Sequence, residues 1–487
     1  MHVLLISTYD LGRQPFGLAS AAAWLRQTGA EVTCVDVSVD PAPADEVIAG
    51  SKIVGFYVPM HTATRLAIPL AERVHRVNPG AHICFFGLYA TTTEALLQEL
   101  GAQTILSGEF EDGLLALYRR VSRGSAQSPV PTVSISVARQ RFMKPDRRGL
   151  PPLRSYARLR VSEGEERIAG QTEASRGCKH LCRHCPVVPV YGGRFRVVDK
   201  AIVLSDIDQQ VEEGARHITF GDPDFWNGPG HARAIVEELH RRHPDVTYDV
   251  TIKVEHLLRY ARDLPLLRDT GCLFVTSAVE SVDDQVLEIL EKGHTRQDVI
   301  EVLRLFRKVG LSLTPTFVAF TPWTSVESYV DLLRFVDEHD LADRVAPIQL
   351  AIRLLVPARS RLLELRSFQE LVGPLDRAAL YHPWQHSDPR VDALQRELLA
   401  RVSGARSPAE FLADAWKLAH ATARREVVPL SGQRLGSRTF VPHITEPWYC
   451  CAEPPEHVVA VPVDHLNLRH PASQSDGSGV ARPRSSS

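Results

Sequence analysis

The sequence predicts an α/β chain built from two successive parallel sheets and completed by a helical region. Short apolar runs alternate with amphipathic stretches from the first residue to about 122. The same rhythm resumes after Gly170 and continues to about residue 354. Residues 123–170 between them are rich in Pro, Arg, Ser and Gly, the composition of a surface linker. Strands separated by helices pair in parallel, and such sheets are covered on both faces.

In the first unit, residues 1–122, Val3–Ser7 reads as a strand and Leu18–Thr28 as a helix ended by Gly29. Glu31–Asp36, Ile53–Val58, His82–Phe86 and Thr104–Ser107 read as the next strands. This is a Rossmann-like, flavodoxin-like order, in which ligands bind beyond the carboxyl ends of the strands. The loops there are Ser7-Thr8-Tyr9, Pro59-Met60-His61, Gly87-Leu88-Tyr89-Ala90-Thr91 and Gly108-Glu109-Phe110-Glu111. In the second unit, residues 171–354, the expected strands are Gln171–Ser175, His217–Gly221, Thr247–Ile252, Leu273–Ala278, Ser312–Ala319 and Pro347–Arg353. Val198–Glu213, His231–His243 and Asp283–Leu290 are helices between them. Six strand–helix units make a partial (βα)6 barrel of the TIM type, with active residues at the carboxyl ends of its strands. Residues 355–469 read as helical, chiefly Leu362–Leu371, Arg390–Val402 and Pro408–Glu426, and are expected to cover the open side of the barrel. Residues 470–487 are rich in Ser, Pro and Arg and are expected to be disordered.

Composition narrows the function. The 487 residues suffice for two or three cores. A formal net charge of −2 gives no electrostatic case for nucleic acid or an anionic membrane. No apolar run reaches membrane-spanning length, and Met1–Ser7 lacks the basic flank of a signal peptide. The eight cysteines do not form a secreted disulfide pattern. A reducing cytoplasm is the expected location.

The chemistry is expected at Cys178, Cys182 and Cys185, within Ser175-Arg176-Gly177-Cys178-Lys179-His180-Leu181-Cys182-Arg183-His184-Cys185-Pro186. Three thiolates spaced CxxxCxxC can hold three irons of a four-iron cluster and leave the fourth open to a substrate or cosubstrate. A zinc site completed by His180 or His184 is the plainer alternative. The motif with its flanking residues resembles the signature of the radical S-adenosylmethionine (radical SAM) superfamily. The resemblance implies a 4Fe–4S cluster whose open iron binds S-adenosylmethionine and cleaves it to a deoxyadenosyl radical. His184 stands where that family carries an aromatic residue, and its imidazole can still stack. Gly221 and Asp222, after the second barrel strand, resemble the segment that meets the amino group of S-adenosylmethionine. Glu280 and Ser281, after the fourth, resemble the Glu-Ser pair at its ribose or amino-acid groups. Leu290-Glu291-Lys292-Gly293-His294-Thr295 matches the Lys-Gly-x-Thr pattern further along.

The first unit resembles the cobalamin-binding domain that precedes many radical SAM domains. The resemblance rests on Phe16-Gly17-Leu18-Ala19, Gly29-Ala30-Glu31-Val32, Gly87 with Ala90-Thr91, and Gly108-Glu109-Phe110-Glu111. It implies that Ser7, Thr8, Tyr9, Gly87, Leu88, Tyr89, Gly108 and Glu109 line a corrin. No DxHxxG motif marks a histidine as lower cobalt ligand. A scaffold domain without cofactor is the alternative.

Near the end stands Trp448-Tyr449-Cys450-Cys451-Ala452-Glu453-Pro454-Pro455. Adjacent cysteines are poorly suited to an unstrained disulfide. The pair suits a redox couple, a metal ligand or a nucleophile. The chain resembles cobalamin-domain radical SAM proteins whose tails end in Cys-Cys-Ala-Glu-Pro or its selenocysteine form. That resemblance makes Cys451 the sharper chemical candidate, with Cys450 beside it. Glu453 reads either as a general base toward Cys451 or as a surface charge. Cys34, Cys84 and Cys272 lie in apolar strands and read as core residues. The expected function is a cobalamin-dependent radical SAM enzyme that methylates an unactivated carbon or phosphorus centre of a small molecule or peptide. It would take electrons from a flavodoxin or ferredoxin. A radical rearrangement or cyclisation, or a non-catalytic metal or thiol redox sensor, are the alternatives.

Overall fold

The computed structural model describes residues 1–124, 132–427, 430 and 440–446. The first sheet has six parallel strands: β1 (His2–Ser7), β2 (Glu31–Asp36), β3 (Ile53–Tyr57), β4 (His82–Phe86), β5 (Thr104–Gly108) and β6 (Thr132–Ser136). Their order is β2-β1-β3-β4-β5-β6. Every residue of β3, β4 and β5 is buried, which is why these strands read as unbroken apolar runs. The rings of Phe56 and Phe85 stack at 4.9 Å on one face. On the other face the small residues of helix Phe16–Arg26 let it lie close to the sheet.

The second sheet is a curled half-barrel. Its strands are β7 (Arg158–Ser162), β8 (Glu165–Thr172), β11 (His217–Phe220), β12 (Thr247–Thr251), β13 (Cys272–Glu280), β14 (Ser312–Phe317) and β15 (His443–Ile444). A two-stranded hairpin, β9 (Ser175–Gly177) with β10 (Phe195–Val197), stands apart from it. β8, β11, β12, β13 and β14 pair in parallel, and β7 and β15 close one edge antiparallel. Helices Pro389–Val402 and Pro408–Thr422 pack on its outside within the same core. No helix among the described residues is long and apolar enough to cross a membrane.

Four elements differ from the sequence reading. Pro347–Arg353 is not a sixth strand: Pro347–Leu350 is a tight turn, and one bridge, Phe320 to Arg353, remains. Proline cannot donate to a ladder, and the Gln349 side chain takes the Phe317 amide proton (3.0 Å) that a strand carbonyl would have taken. The expected strand Gln171–Ser175 breaks at Thr172, because the Ala174 amide donates to Asp222 rather than to the sheet. Residues 123–170 are more than a linker, since they supply β6, β7 and part of β8. They also carry Arg147, a buried guanidinium bound to both oxygens of Asp206 (2.8 and 2.9 Å), to Gln14 and to the Gln171 carbonyl. Leu362–Leu371 forms two short turns, Arg361–Glu364 and Arg366–Gln369, instead of one helix.

Gly108 ends β5 at φ +75°, and a Cβ there would lie 2.0 Å from the Ser136 carbonyl oxygen. Gly108→Ala therefore strains the backbone and pushes β6 off the sheet. Urea unfolding should show a loss of more than about 1 kcal/mol relative to the parent.

Candidate functional site

The cysteine loop leaves β9 at the carboxyl end of the half-barrel. Gly177 sits at φ +78°, and a Cβ there would meet the Tyr191 ring at 2.4 Å and the Arg194 carbonyl at 2.6 Å. Only glycine fits before Cys178. The loop is tied down from three sides. Asp222 accepts the Ala174 amide (2.9 Å) and the Ser175 hydroxyl (2.6 Å). Asn227 accepts from the Lys179 amide and donates to the Gly177 carbonyl, both at 3.2 Å. The Arg183 amide donates to the Leu290 carbonyl (3.0 Å) and its guanidinium to Ile289 (2.8 Å). Cys178 and Cys182 are buried and Cys185 is half-buried.

The polar groups around these thiols come from successive strand ends. Lys253, just after β12, places its ammonium 3.7 Å from Cys182 Sγ. Burial pushes the Cys178 thiol up to about 11. A cationic neighbour or a metal is what such a buried set needs to stay ionised. Asp224 is wholly buried between His256 (2.6 Å) and His180 (3.5 Å). Burial would raise its carboxyl, but the two imidazoles hold it below the ordinary range. Ligand atoms of Cys178, His180 and Asp224 lie within 4.8 Å of one another, close enough for one metal ion.

Glu280 ends β13 at φ +68°, where the register with β14 shifts. Its Oε1 meets His184 Nε2 at 3.1 Å and Lys292 Nζ at 3.3 Å. Burial opposes ionisation, yet Lys292 and His184 bring the carboxyl down to about 2. Ser281 accepts the Asp283 amide (3.1 Å). A cavity of about 290 Å³ adjoins Glu280 and Ser281. Gly221 donates its amide to Thr172 (2.8 Å). Both oxygens of Asp222 are engaged on the loop before Cys178, so its role in this structure is to anchor that loop.

The carboxyl edge of the first sheet faces this loop. Arg176, two residues before Cys178, is buried against Glu111 (2.7 Å), Glu173 (2.7 Å) and Glu109 (3.4 Å). The rings of Phe16, Phe110 and Phe142 surround its guanidinium at 5.2–5.6 Å. Glu109 also accepts from Tyr191 (3.1 Å) and Gln140 (3.1 Å). It thus braces the two sheets together. Leu88 packs both on the cluster of Tyr9, Leu11, Met60 and Tyr89 and on that of Cys178, Val187 and Tyr191. Thr8 donates to the Ala63 carbonyl (2.7 Å), and Tyr9 donates to Glu446. Gly87 takes φ +121° beside Val58, and the Ser107 hydroxyl donates to its carbonyl (2.7 Å). Ser7 Oγ and His61 Nδ1 are buried with no partner among the described residues. His61 bonds through Nε2 to the Ala379 carbonyl (2.7 Å), and burial lowers its imidazole to about 4.

Inside the half-barrel lies a cavity of about 1010 Å³. Thr251, Thr276 and Thr314 stand side by side across β12, β13 and β14 and line it. Asp249 lines it too, with Oδ1 accepting from Thr219 (2.6 Å) and facing His217 Nε2 (2.9 Å). Thr251 is two residues before Lys253, so the cavity reaches toward the cysteine loop.

The sequence reading brought out the three cysteines, Asp222, Glu280 and the loop set of the first sheet. It brought out His61 only as part of the Pro59-Met60-His61 loop, and it did not bring out Arg176, Lys253, Asp224 or His256 as functional. Arg176 was visible as an arginine inside the motif, and Lys253 as a lysine closing a strand, but nothing in their spacing names a partner. Cys450, Cys451 and Glu453 lie outside the described residues.

Known proteins bear on this site. A profile of the radical SAM superfamily matches residues 172–336, so the half-barrel is a radical SAM domain. An uncharacterized methyltransferase of Pyrococcus horikoshii, PH0819, is 22% identical over 346 residues, covering 67% of this chain and 74% of its own. The bacteriochlorophyllide d C-8(2)-methyltransferase of Chlorobaculum tepidum is 23% identical over 240 residues, 45% of this chain and 52% of its own. The fold is that of OxsB, a cobalamin-dependent S-adenosylmethionine radical enzyme solved with aqua-cobalamin bound. The TM-score is 0.64 at 16% identity, over 81% of this chain and 66% of OxsB. It is also that of TsrM from Kitasatospora setae, a radical S-adenosylmethionine methyltransferase solved with cobalamin and a 4Fe–4S cluster bound. There the TM-score is 0.58 at 16% identity, over 84% of each chain. The chain spans about half of the Chlorobaculum enzyme and about two thirds of OxsB.

Arg176→Gln leaves Glu109, Glu111 and Glu173 buried without their cation. The expected loss in denaturant unfolding is about 3–5 kcal/mol. Burial already raises the Glu109 carboxyl from 4.5 to about 7, so the folded state holds a proton that the unfolded chain releases. That contribution is full below 4.5 and fades as pH rises through about 7. Without Arg176 the fading moves to higher pH, so the variant's deficit should shrink between about pH 8 and pH 5. A deficit independent of pH would show that the carboxylates are not the cause.

Proposed function

We propose that this chain is a cobalamin-dependent radical SAM enzyme that transfers a methyl group to a substrate held in the half-barrel. The observation that carries the reading is the cysteine loop itself. Three cysteines are fixed at the carboxyl ends of a parallel half-barrel, with one ammonium 3.7 Å from Cys182. These donors fit a 4Fe–4S cluster, with Cys178, Cys182 and Cys185 as ligands. Ser7 Oγ and His61 Nδ1, unpartnered among the described residues, fit a polar cofactor at the carboxyl edge of the first sheet, and cobalamin is the group we assign there. When bound, the cluster supplies the electron that cleaves S-adenosylmethionine, and the corrin carries the methyl group.

The chain's own residues position and shield. Lys253 offsets thiolate charge at Cys182. Glu280, ionised between His184 and Lys292, keeps one oxygen for a hydroxyl or ammonium donor of the cosubstrate. Asp222 and Asn227 hold the loop still, so its ligands need no rearrangement on loading. The threonine row and Asp249 give the large cavity hydrogen-bonding groups, and Phe220, Phe274 and Phe440 give it apolar walls. Such mixed walls suit a methyl acceptor with both apolar and hydrogen-bonding parts. The Cys450–Cys451 pair is proposed to act in the same chemistry, as hydrogen donor or substrate tether. Its replacement by serine would then stop product formation and spare the metal.

One specific observation favours a second reading. Cys178, His180 and Asp224 could hold a single zinc or iron ion instead. Metal and sulfide analysis of protein purified without oxygen decides between them. The expected result is about four irons and four sulfides per chain, lost in Cys182→Ala and in Cys185→Ala, with corrin retained from cobalamin-fed cells. One zinc per chain, retained in Cys182→Ala and lost in Asp224→Ala, would establish the other reading.

Glu280→Gln should lower affinity for S-adenosylmethionine by about tenfold, the loss of one charge-assisted contact, with iron content unchanged. Equilibrium dialysis checks this, and unchanged affinity would place Glu280 outside the cosubstrate site.

A further inference from the structure

One carboxylate faces the half-barrel cavity without a lysine or arginine to meet it. Asp249 is 4% exposed and lines the cavity of about 1010 Å³. Both of its hydrogen bonds fall on one oxygen. Thr219 donates to Oδ1 (2.6 Å), and His217 Nε2 meets the same atom (2.9 Å). Oδ2 has no partner among the described residues and is reached from the cavity. Thr219, Asp249 and Phe274 are register neighbours across β11, β12 and β13. The Phe274 ring lies nearly parallel to the His217 imidazole (6.2 Å, 22°). The carboxylate is thus held in one orientation, with an aromatic wall beside it.

Its charge has no full match within the protein. The Thr247 hydroxyl lies 2.9 Å from His217 Nδ1 and 3.3 Å from the Arg216 carbonyl. A hydroxyl donating along the shorter contact leaves the imidazole proton on Nε2, where a neutral ring donates to Asp249. No lysine or arginine among the described residues forms an ion pair with Asp249. Three arginines that share the cavity are engaged elsewhere: Arg160 with Glu166 (3.0 Å), Arg406 with Glu410 (2.5 Å) and Arg344 with the Ser312 hydroxyl (3.0 Å). A buried carboxylate in this setting is costly until a cation meets it. One free carboxylate oxygen among threonine hydroxyls is too few hard donors for calcium or magnesium, whereas an ammonium needs only a few acceptors.

We propose that Asp249 is the substrate handle of this cavity: its Oδ2 takes the protonated amine of an elongated methyl acceptor whose apolar body lies along Phe274. The proposal rests on the methyltransferase reading above and names a substrate class for it. Asp249 precedes Lys253 by four residues, about 13 Å of extended chain, and Lys253 stands 3.7 Å from Cys182. The amine is therefore held away from the cysteine loop, and the methylated centre lies at the end of the substrate remote from it.

The test uses the full chain purified without oxygen. It is titrated calorimetrically with phenethylamine, a cation at neutral pH, and with phenethyl alcohol, its uncharged counterpart. In the parent the amine should bind about tenfold tighter or more, the worth of one charge-assisted contact. Asp249→Asn keeps the side chain's shape and should erase that preference. Thr251→Lys leaves Asp249, His217 and Thr219 in place and sets an ammonium two residues along the same strand face. It should erase the preference as well, so a folding defect in the first variant cannot stand in for the result. The two probes binding alike in the parent, or not at all, overturns the handle, as does an amine preference that survives both substitutions. Iron and sulfide content of the same samples is read separately. A parent with its cluster and no amine preference loses the handle alone, and a parent without a cluster loses the radical reading.

Discussion

The arrangement depends on one guanidinium. Arg176 lies two residues before the first cysteine and reaches three carboxylates, two of them on the first sheet and one on its own strand end. A buried charge is costly unless its partners are close and fixed, and three aromatic rings exclude water from this one. The same short segment therefore does two jobs. It starts the metal-binding loop, and it locks that loop to the carboxyl edge of the other sheet. Leu88, in contact with both clusters, sits beside this lock. Whatever occupies the first sheet's edge is held in register with the thiols by a connection only a few residues long.

A second layer of fixation comes from the barrel strands, each contributing at its carboxyl end. After β11, Asp222 and Asn227 hold the backbone on both sides of Cys178. After β12, Lys253 meets Cys182. After β13, Glu280 meets His184. Parallel strands bring consecutive loops to one edge, so residues as far as 96 apart in sequence converge without any local motif. The left-handed backbone at Glu280 belongs to this scheme. The register shift there turns the side chain back toward the loop at a conformational cost of about 1 kcal/mol or more.

How much of this was legible follows the range of the interactions. Local signals read correctly where they concern the alternation of strands and helices, which places most of the strands of both sheets. Interactions across the fold did not. Asp222 was legible as a carboxylate at a strand end, but not as the anchor of Ala174 and Ser175, because its partners lie 47 and 48 residues away. Glu109 was legible as a carboxylate after a strand, but not as a partner of Arg176, since sequence does not show that the two approach. Pro347–Arg353 looked like a strand because it is apolar, although Pro347 and the Gln349 side chain redirect the hydrogen bonding.

β6 changes what counts as a module in this chain. It comes from the stretch that composition marked as a linker, yet it adds in parallel to β5 along five residue pairs. A first unit cut at residue 122 would therefore expose the whole flank of β5, a row of unpaired amides and carbonyls open to pairing with another chain. The separable piece extends to at least Ser136. Gene fusions or domain exchanges that respect this limit carry the sheet's own edge protection with them, and those that follow the composition boundary leave it behind.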